Sequence, residues 1–365
     1  MRRWLWVGEQ LYSAQDADAL LADATRCHFT DLVVQMHRYN GVAINSDMYT
    51  MTPDRFGGQL PIHYIADHAH DLGIRVHVWW IIGTFEEWVS TWPHWIAGVP
   101  DEWNTINLPD CDQENLNFSL LAVRQALADA TADICTNNPT LDGLDIDYVR
   151  YEPGMVQSVA GLNASDIDLA VQHIYDTTTL PLMMSGVPPY IPGDYVGGWD
   201  TLGCGQDWPR WVDEGLVQTV KAMNYCWPNT LDAYITEHYD NVLTDAVKAR
   251  AINGVMPFGY AEDPMSPAQW EQVLDIVAQH VYELAVFDNY LLNQNDAYKQ
   301  ALADRPLSND GETTMSTVGD LQVIIAGLQE QIASIEQIIT DLQAYDADAD
   351  ALAAQAQVLA DTIED

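Results

Sequence analysis

The chain has 365 residues, of which 48% are hydrophobic and 19% are charged, so it can bury a large apolar core and is neither disordered nor fibrous. No apolar run approaches the roughly 20 residues that span a bilayer, which argues against insertion in a membrane. Asp and Glu number 54 against 14 Lys and Arg, and the net charge of −40 argues against nucleic acids and anionic membranes as partners.

Lysine is almost absent from this acidic chain, occurring at Lys221, Lys248 and Lys299 alone. An acidic surface with little lysine is typical of proteins from very salty cytoplasm, where concentrated salt screens the repulsion between carboxylates. The composition therefore predicts a halophilic source, haloarchaeal or a haloarchaeal virus. The alternative is an ordinary acidic protein.

The amino terminus and the cysteines indicate where the protein works. MRRWLWVGEQLY carries only about five consecutive apolar residues, whereas the apolar core of a secretory signal has roughly 7–15. The five cysteines are scattered and show no zinc-ligand spacing or disulfide framework. We expect a location outside the cell or on a virion, reached without a cleaved signal peptide. A cytoplasmic location is the alternative.

Short runs of β-branched and aromatic residues alternate with helix-like stretches over residues 1–305. Pro61 and Ser119 are suited to start two of the helices, as a first-turn proline and an N-cap. This alternation predicts an α/β fold, a (β/α)8 TIM barrel, rather than a doubly wound sheet, because no GxGxxG follows the first strand. The eight predicted strands are residues 3–7, 31–36, 75–82, 141–149, 180–186, 217–225, 252–258 and 284–290.

The fourth predicted strand contains the segment LDGLDIDYVRYEPG, residues 141–154. Alternation along a strand places Asp145 and Asp147 on one side, and the apolar Leu144 and Ile146 on the other. The apolar side suits the helix layer, so both aspartates are predicted to point into the barrel. Buried carboxyl groups of this kind suit acid/base chemistry on a glycosidic bond. The alternative is a structural network in which Arg150 or Tyr225 pairs with the aspartates.

Four segments, in order, resemble the glycosyl-hydrolase-10-like barrel family known from bacterial lipoproteins. They are DLVVQMHRYNGVAINSD, AHDLGIRVHVWW, LDGLDIDYVRYEP and DWPRWVDEGLVQTVKAMNYCWP. The fourth strand also resembles the DGxDxDxE pattern of family-18 chitinases, but Val149 stands where their catalytic Glu would be. The resemblance implies a glycan-cleaving barrel in which Asp147 matches the fourth-strand aspartate.

The chain also departs from the first family's pattern. Tyr148 replaces the second aspartate of an Asp–Asp pair, and Asp145 replaces a histidine. The candidate substrate-binding residues in or beside the matching segments are Gln35, His37, His77, Trp79, Tyr148, Arg150, Asn224, Tyr225 and Trp227.

Glycoside hydrolysis normally needs a second carboxyl group. Asp145 is better placed to tune Asp147 than to contact a substrate. The favoured candidates at strand ends are Glu262 after the seventh strand and Asp288 on the eighth; Glu86, Glu87 and Asp263 are further candidates.

Tryptophans are concentrated in the long segment that follows the third strand. Indole faces stack on sugar rings, and loops at this end of a barrel line the site. Trp88 is our candidate for substrate binding there. The alternative is a hydrophobic cluster that packs the loop, formed by Trp88, Trp92, Trp95 and Trp103.

Two functions are therefore open. The first is a glycosidase that binds and cleaves a surface polysaccharide or glycoprotein glycan. The second is a non-catalytic glycan-binding adhesin or virus tail receptor-binding protein, with other virion or surface components as partners. We expect no metal, because the acidic residues Asp110, Asp112 and Glu114 could suggest calcium but lack the EF-hand glycine. We expect no cofactor, and no glycine-rich loop that would cradle a phosphate stands out in the sequence.

Residues 306–319 are predicted to be a linker, and residues 320–365 an α-helical coiled coil. Heptad positions a and d carry large apolar residues or Tyr except at Ala349, Ala356 and Gln331. The alternative is a single amphipathic helix packed against the barrel, although about 45 helical residues would extend about 67 Å. The a positions are Leu321, Leu328, Ile335, Leu342, Ala349, Ala356 and Ile363, and the d positions are Ile324, Gln331, Ile338, Tyr345, Leu352 and Leu359.

We predict that the full chain is a parallel homotrimer in high salt, with a tetramer or a dimer as the less favoured alternatives. Leu or Ile at a with mostly Ile at d in the first three heptads shifts the preference from dimers towards trimers or tetramers. Light scattering on the full chain and on a chain ending at Arg305 tests this. Loss of the oligomer upon truncation is the expected result. A monomeric full chain would contradict it.

We also predict that the folded barrel is lost or expanded in dilute buffer, because a charge of −40 is then unscreened. Melting temperatures measured between about 0.1 M and 3 M KCl check this expectation. A melting temperature independent of salt would refute the halophilic assignment.

Overall fold

A computed structural model describes residues 2–8, 11–38, 41–82, 101–105, 108–109, 115–188, 201, 203–258, 264–280 and 283–305. Residues Met1–Leu307 form one compact unit. The predicted linker and coiled coil, Glu262 and Trp88 lie outside the described residues.

Eight parallel strands close into a barrel, which confirms the predicted (β/α)8 fold. Neighbouring strands follow the order β1, β2, β5, β6, β7, β8, β9 and β10, and β10 pairs again with β1. The two-residue strands β3 and β4 form a separate antiparallel pair after β2. The strands are β1 Arg3–Val7, β2 Asp31–Gln35, β3 His37–Arg38, β4 Gly41–Val42, β5 Arg75–Ile81, β6 Gly143–Asp147, β7 Leu182–Gly186, β8 Thr219–Met223, β9 Ala251–Val255 and β10 Glu283–Val286.

Helices occupy the connections between the strands. Among the described residues they are α1 Ala14–Arg26, α2 Pro61–Asp71, α3 Leu121–Asn137, α4 Met155–Ser158, α5 Ala164–Thr177, α6 Trp208–Asp213, α7 Pro228–Ile235, α8 Asp245–Lys248, α9 Pro267–Gln279, α10 Asn289–Leu292 and α11 Asp296–Ala303. A 3-10 turn covers Asp101–Trp103, and a π-helical turn covers Thr236–Asp240. None of these helices is long and apolar enough to cross a membrane.

Local sequence explains most of the helix starts. Pro61 lies in the first turn of α2, as predicted, and Ser266 closes a capping box with Gln269 at the start of α9. Ser119 does not cap α3, which begins at Leu121. Its hydroxyl donates instead to the side-chain oxygen of Asn117 at 2.6 Å, so it serves the preceding turn.

The alternation on β6 positions the candidate site. Asp145 and Asp147 face the lumen, where they meet side chains from β5, β7 and β8. Leu144 and Ile146 are fully buried on the opposite side, in the apolar core. Because parallel strands end together at one rim, the carboxyl ends of β1, β5, β6 and β8 bring their last inward side chains to a common mouth.

Gly254 on β9 makes room for an aromatic residue of this lumen. A Cβ atom at that position would lie 2.9 Å from the six-membered ring of Trp6 on β1. The absence of a side chain therefore allows the Trp6 indole to lie across the barrel interior.

Candidate functional site

Asp147 is the last residue of β6 and is buried at the mouth of the barrel. The Trp79 indole N–H, from β5, donates to Asp147 Oδ2 at 3.0 Å. The backbone N–H of Tyr148 donates to Oδ1 at 2.7 Å, and Arg150 Nη1 lies 3.5 Å from the same oxygen. Four residues that the sequence analysis selected are therefore adjacent in space.

Tyr148 gives the turn after β6 its shape. Its φ angle of 56° lies in the left-handed region, which side-chain-bearing residues rarely adopt. The turn returns the chain so that the Arg150 guanidinium stacks on the Tyr148 ring, with the guanidinium carbon 4.0 Å from the ring centre. The strained turn thus holds a cation beside Asp147.

The environment of Asp147 favours its protonated form. Burial raises the pKa of Asp147 to about 6, and the negative charge of Asp145 acts in the same direction. The positive charge of Arg150 and the hydrogen bonds from Trp79 and Tyr148 oppose this rise without cancelling it. A carboxyl group with a pKa near 6 can both donate and accept a proton near neutral pH.

An aromatic cluster, formed by Trp6, Trp79, Tyr225 and Phe287, adjoins this carboxyl group through Trp79. Phe287 follows β10 and lies at its centre. Its ring centroid is 5.9 Å from that of Trp6, 6.0 Å from Trp79 and 5.4 Å from Tyr225. Tyr225 and Phe287 are half-buried, so part of the cluster faces solvent.

Asp288 lies beside the aromatic cluster, immediately after Phe287. It is half-buried and follows β10, whereas the sequence analysis placed it on that strand; it is the N-cap of α10. Burial raises the pKa of Asp288, and hydrogen bonds from the backbone N–H groups of Leu291 and Tyr290 oppose this rise.

Gly8, which follows β1, lies between two polar side chains at the mouth and lets Asp288 approach closely. A Cβ atom there would lie 3.2 Å from Asp288 Oδ2 and 3.9 Å from the side-chain oxygen of Gln35. Gln35 and Asp288 therefore flank the same point of the rim.

Asp145 lies two residues before Asp147 on β6, deeper in the lumen, and has a different environment. Lys221 Nζ on β8 lies 2.7 Å from Asp145 Oδ1, and Ser185 Oγ on β7 donates to Oδ2 at 2.9 Å. The side chains of Asp145 and Lys221 are both 0% exposed. Asp145 therefore contacts the interior of the barrel and cannot touch a substrate.

His77 lies still deeper, in the third position of β5. Its Nε2 is 2.8 Å from Asp31 Oδ1, and Arg2 Nε donates to Asp31 Oδ2 at 3.0 Å. Although burial acts to raise the pKa of Asp31, the hydrogen bonds from His77 and Arg2 outweigh it and hold that pKa well below the usual range. Burial lowers the pKa of His77, so its imidazole is neutral at pH 7 and Arg2 supplies the positive charge beside Asp31. Asp31, His77 and Arg2 form a hydrogen-bonded layer at the amino end of the barrel, away from the mouth.

Three other candidates have different surroundings. Asn224 is fully buried and hydrogen-bonds with Asn253 and Tyr239 on the helix side of the barrel. His37 is buried after β2, and burial lowers the pKa of His37 to about 3. Trp227 precedes α7 and borders a groove that Gln269 and Gln272 also line.

Several predicted residues lie outside the described residues. They are Glu86, Glu87, Trp88, Trp92, Trp95, Asp110, Asp112, Glu114, Glu262 and Asp263. Trp103 is described and packs half-buried against the core. Within the described ranges, no group of three or more His, Cys, Asp or Glu side chains is arranged to hold a metal ion.

Four residues near the site were not predicted from the sequence, namely Lys221, Ser185, Trp6 and Phe287. A lysine within the apolar strand TVKAM of a chain with three lysines is a signal for a buried ion pair. Trp6 and Phe287 carry no comparable signal, because aromatic residues in strands most often belong to the core.

Comparison with known proteins shows which class of fold surrounds this site. No protein-family profile and no curated protein sequence matches the chain. The glycoside hydrolase domain of PgaB (BpsB) from Bordetella bronchiseptica is structurally similar, with a TM-score of 0.57 and 12% identity over 85% of this chain and 100% of that domain. The spore cortex-lytic enzyme SleL from Bacillus cereus gives a TM-score of 0.51 and 8% identity over 84% of this chain and 74% of that one. This chain therefore shares the TIM-barrel fold of these two proteins.

We predict that Asp147 destabilises the folded protein at neutral pH. Its pKa is raised to about 6, so the folded state retains a proton that the unfolded chain has already lost. As pH rises from about 4 through 6, stability falls, by up to about 3 kcal/mol for a shift of about two units. Asp147→Asn removes this loss.

Melting curves of the wild type and Asp147→Asn in high salt, taken between about pH 4 and pH 8, measure this effect. The melting temperature of the variant relative to the wild type is expected to rise with pH. Parallel pH dependences for the two proteins would contradict the raised pKa.

Proposed function

We propose that this protein is a glycoside hydrolase-like barrel that binds and cleaves a cell-surface polysaccharide or glycoprotein glycan. The observation that carries the proposal is Asp147, a buried carboxyl group with a pKa near 6 at the carboxyl end of a barrel strand. General acids of glycosidases need a raised pKa so that they hold a proton at working pH.

In this proposal Asp147 donates its proton to the glycosidic oxygen as the bond between that oxygen and the anomeric carbon breaks. Arg150 and the Trp79 indole N–H then stabilise the carboxylate that remains, because both already contact its oxygens. In the net reaction a water molecule supplies the new C–O bond at the anomeric carbon and returns one proton to the carboxyl groups of the site. The exposed parts of Tyr225 and Phe287 suit stacking on a sugar ring, since apolar C–H groups pack on aromatic faces.

Asp288 is the proposed second carboxyl group among the described residues. It adjoins the same aromatic cluster, and Gln35 lies near it across Gly8. Asp145 is a poor alternative, because Lys221 and Ser185 occupy both of its oxygens. Glu262, favoured equally by the sequence, remains a second proposal for this role.

One observation favours the non-catalytic alternative, a glycan-binding adhesin or virus tail protein. Asp147 already receives hydrogen bonds or ionic contact from three groups, namely Trp79, Tyr148 and Arg150. A carboxyl group held in this way can bind sugar hydroxyls without transferring a proton. Both functions place the protein outside the cell or on a virion, with the C-terminal segment joining several barrels.

In this proposal the organism from which the protein comes decides which glycan it meets. The similar SleL proteins are spore cortex-lytic enzymes, which suggests peptidoglycan if the host is bacterial. A haloarchaeal host would offer surface-layer glycans or exopolysaccharide instead. Either glycan presents pyranose rings to the aromatic cluster.

We predict that the full chain in multimolar KCl releases new reducing ends from envelope glycans. Asp147→Asn should lower the rate at least about 100-fold, the usual contribution of a general acid. Asp71→Asn is the matched control, because Asp71 is an exposed residue at the end of α2, and it should retain the rate.

Three outcomes separate the hypotheses. Cleavage lost with Asp147→Asn alone supports the hydrolase. Glycan binding without reducing ends supports the adhesin. Cleavage unaffected by Asp147→Asn would remove Asp147 from the mechanism.

A further inference from the structure

Lys221 is a buried cation at the centre of the barrel. Its side chain is 0% exposed, its Nζ lies 2.7 Å from Asp145 Oδ1, and the same nitrogen lies 5.1 Å from the centre of the Trp4 ring. A lysine buried this deeply needs a partner of opposite charge, because burying an unpaired ammonium is energetically costly.

Asp145 is held by two donors, so its carboxylate has one orientation. Lys221 contacts Oδ1, and Ser185 Oγ donates to Oδ2 at 2.9 Å. The Trp6 indole N–H donates to Ser185 Oγ at 3.1 Å, which orients the hydroxyl towards Asp145. The geometry fixes a negative charge below the mouth of the barrel.

Asp145 and Asp147 point to the same side of β6, two residues apart, about 7 Å along the strand. The Trp6 ring packs against Phe287, and Phe287 packs against Trp79, which donates to Asp147. The ion pair and Asp147 thus belong to one continuous network.

We propose that Lys221 is a positioning residue of the site: it holds the carboxylate of Asp145 in a fixed place beneath Asp147, and the balance of the Lys221 and Asp145 charges sets the proton affinity of Asp147. The relevance of this device to glycan cleavage rests on the proposed function. The electrostatic claim itself can be tested without any substrate.

Other charged groups near the network have their own partners. Arg150 is the cation beside Asp147, and the Tyr148 ring stacks on it. Below the pair, His77 binds Asp31, which Arg2 and Arg75 also contact. Glu283 accepts a hydrogen bond from the Trp4 indole at 3.2 Å.

The two single substitutions have opposite expected effects. Lys221→Met leaves the Asp145 charge uncompensated, so Asp147 should lose its proton at higher pH. Asp145→Asn leaves the Lys221 charge uncompensated, so Asp147 should lose its proton at lower pH. Each shift should be about one pH unit, and the double variant should return close to the wild type.

The Trp79 indole N–H reports on Asp147, because it donates directly to Oδ2. Its NMR resonance is assigned by its loss in Trp79→Phe. The resonance can then be followed across pH in about 3 M KCl for the wild type, both single variants and the double variant. Lys248→Met is the matched control, since Lys248 lies on the outer helix α8, and it should leave the midpoint unchanged.

The wild type alone provides a second test if the single variants fail to fold, as a broken buried pair can cause. Trp6 reports on Asp145 through Ser185. Its resonance should remain constant over the pH range in which the Trp79 resonance moves.

Opposite shifts in the two single variants and a constant Trp6 resonance in the wild type are the expected results. Equal midpoints in all variants, shifts in the same direction, or a Trp6 resonance of the wild type that titrates together with that of Trp79 would overturn the proposal. If these shifts occur but no glycan is cleaved, the proposed function fails and the role of Lys221 stands.

Discussion

Charged side chains buried in the lumen of a closed barrel need compensation, and this requirement shapes the whole interior. A buried ion that lacks a partner costs several kcal/mol, whereas a paired and hydrogen-bonded one is tolerated. Deep in the lumen, Asp31 meets His77 and arginines, and Asp145 meets Lys221. At the mouth, Asp147 has a weaker contact with Arg150 at 3.5 Å.

The two β6 aspartates have different roles because a nearby positive charge balances Asp145 more closely than Asp147. Both face the lumen and both are buried, yet Asp145 has an ammonium within hydrogen-bonding distance and Asp147 does not. Burial consequently dominates at Asp147 and favours a retained proton. The residue with reactive potential is therefore the one at the mouth, where a substrate can approach.

The strand pattern was predictable because each barrel strand is a short apolar run between helices. The prediction that Asp145 and Asp147 share one side followed from the two-residue period of a strand. Contacts between distant strands were not predictable: the pairing of Lys221 with Asp145 depends on the register of β6, β7 and β8. Nor could the sequence show that Asn224 turns away from the lumen, since Asn253 and Tyr239 recruit it.

The TIM-barrel fold is compatible with the proposed chemistry, but the proposal depends on Asp147. The most direct measurement is a crystal structure of Asp147→Asn in high salt with an oligosaccharide of the envelope glycan. We expect a sugar ring stacked on Tyr225 or Phe287, with its glycosidic oxygen about 3 Å from the side chain of residue 147. An oligosaccharide bound away from the mouth of the barrel would contradict the central role of Asp147.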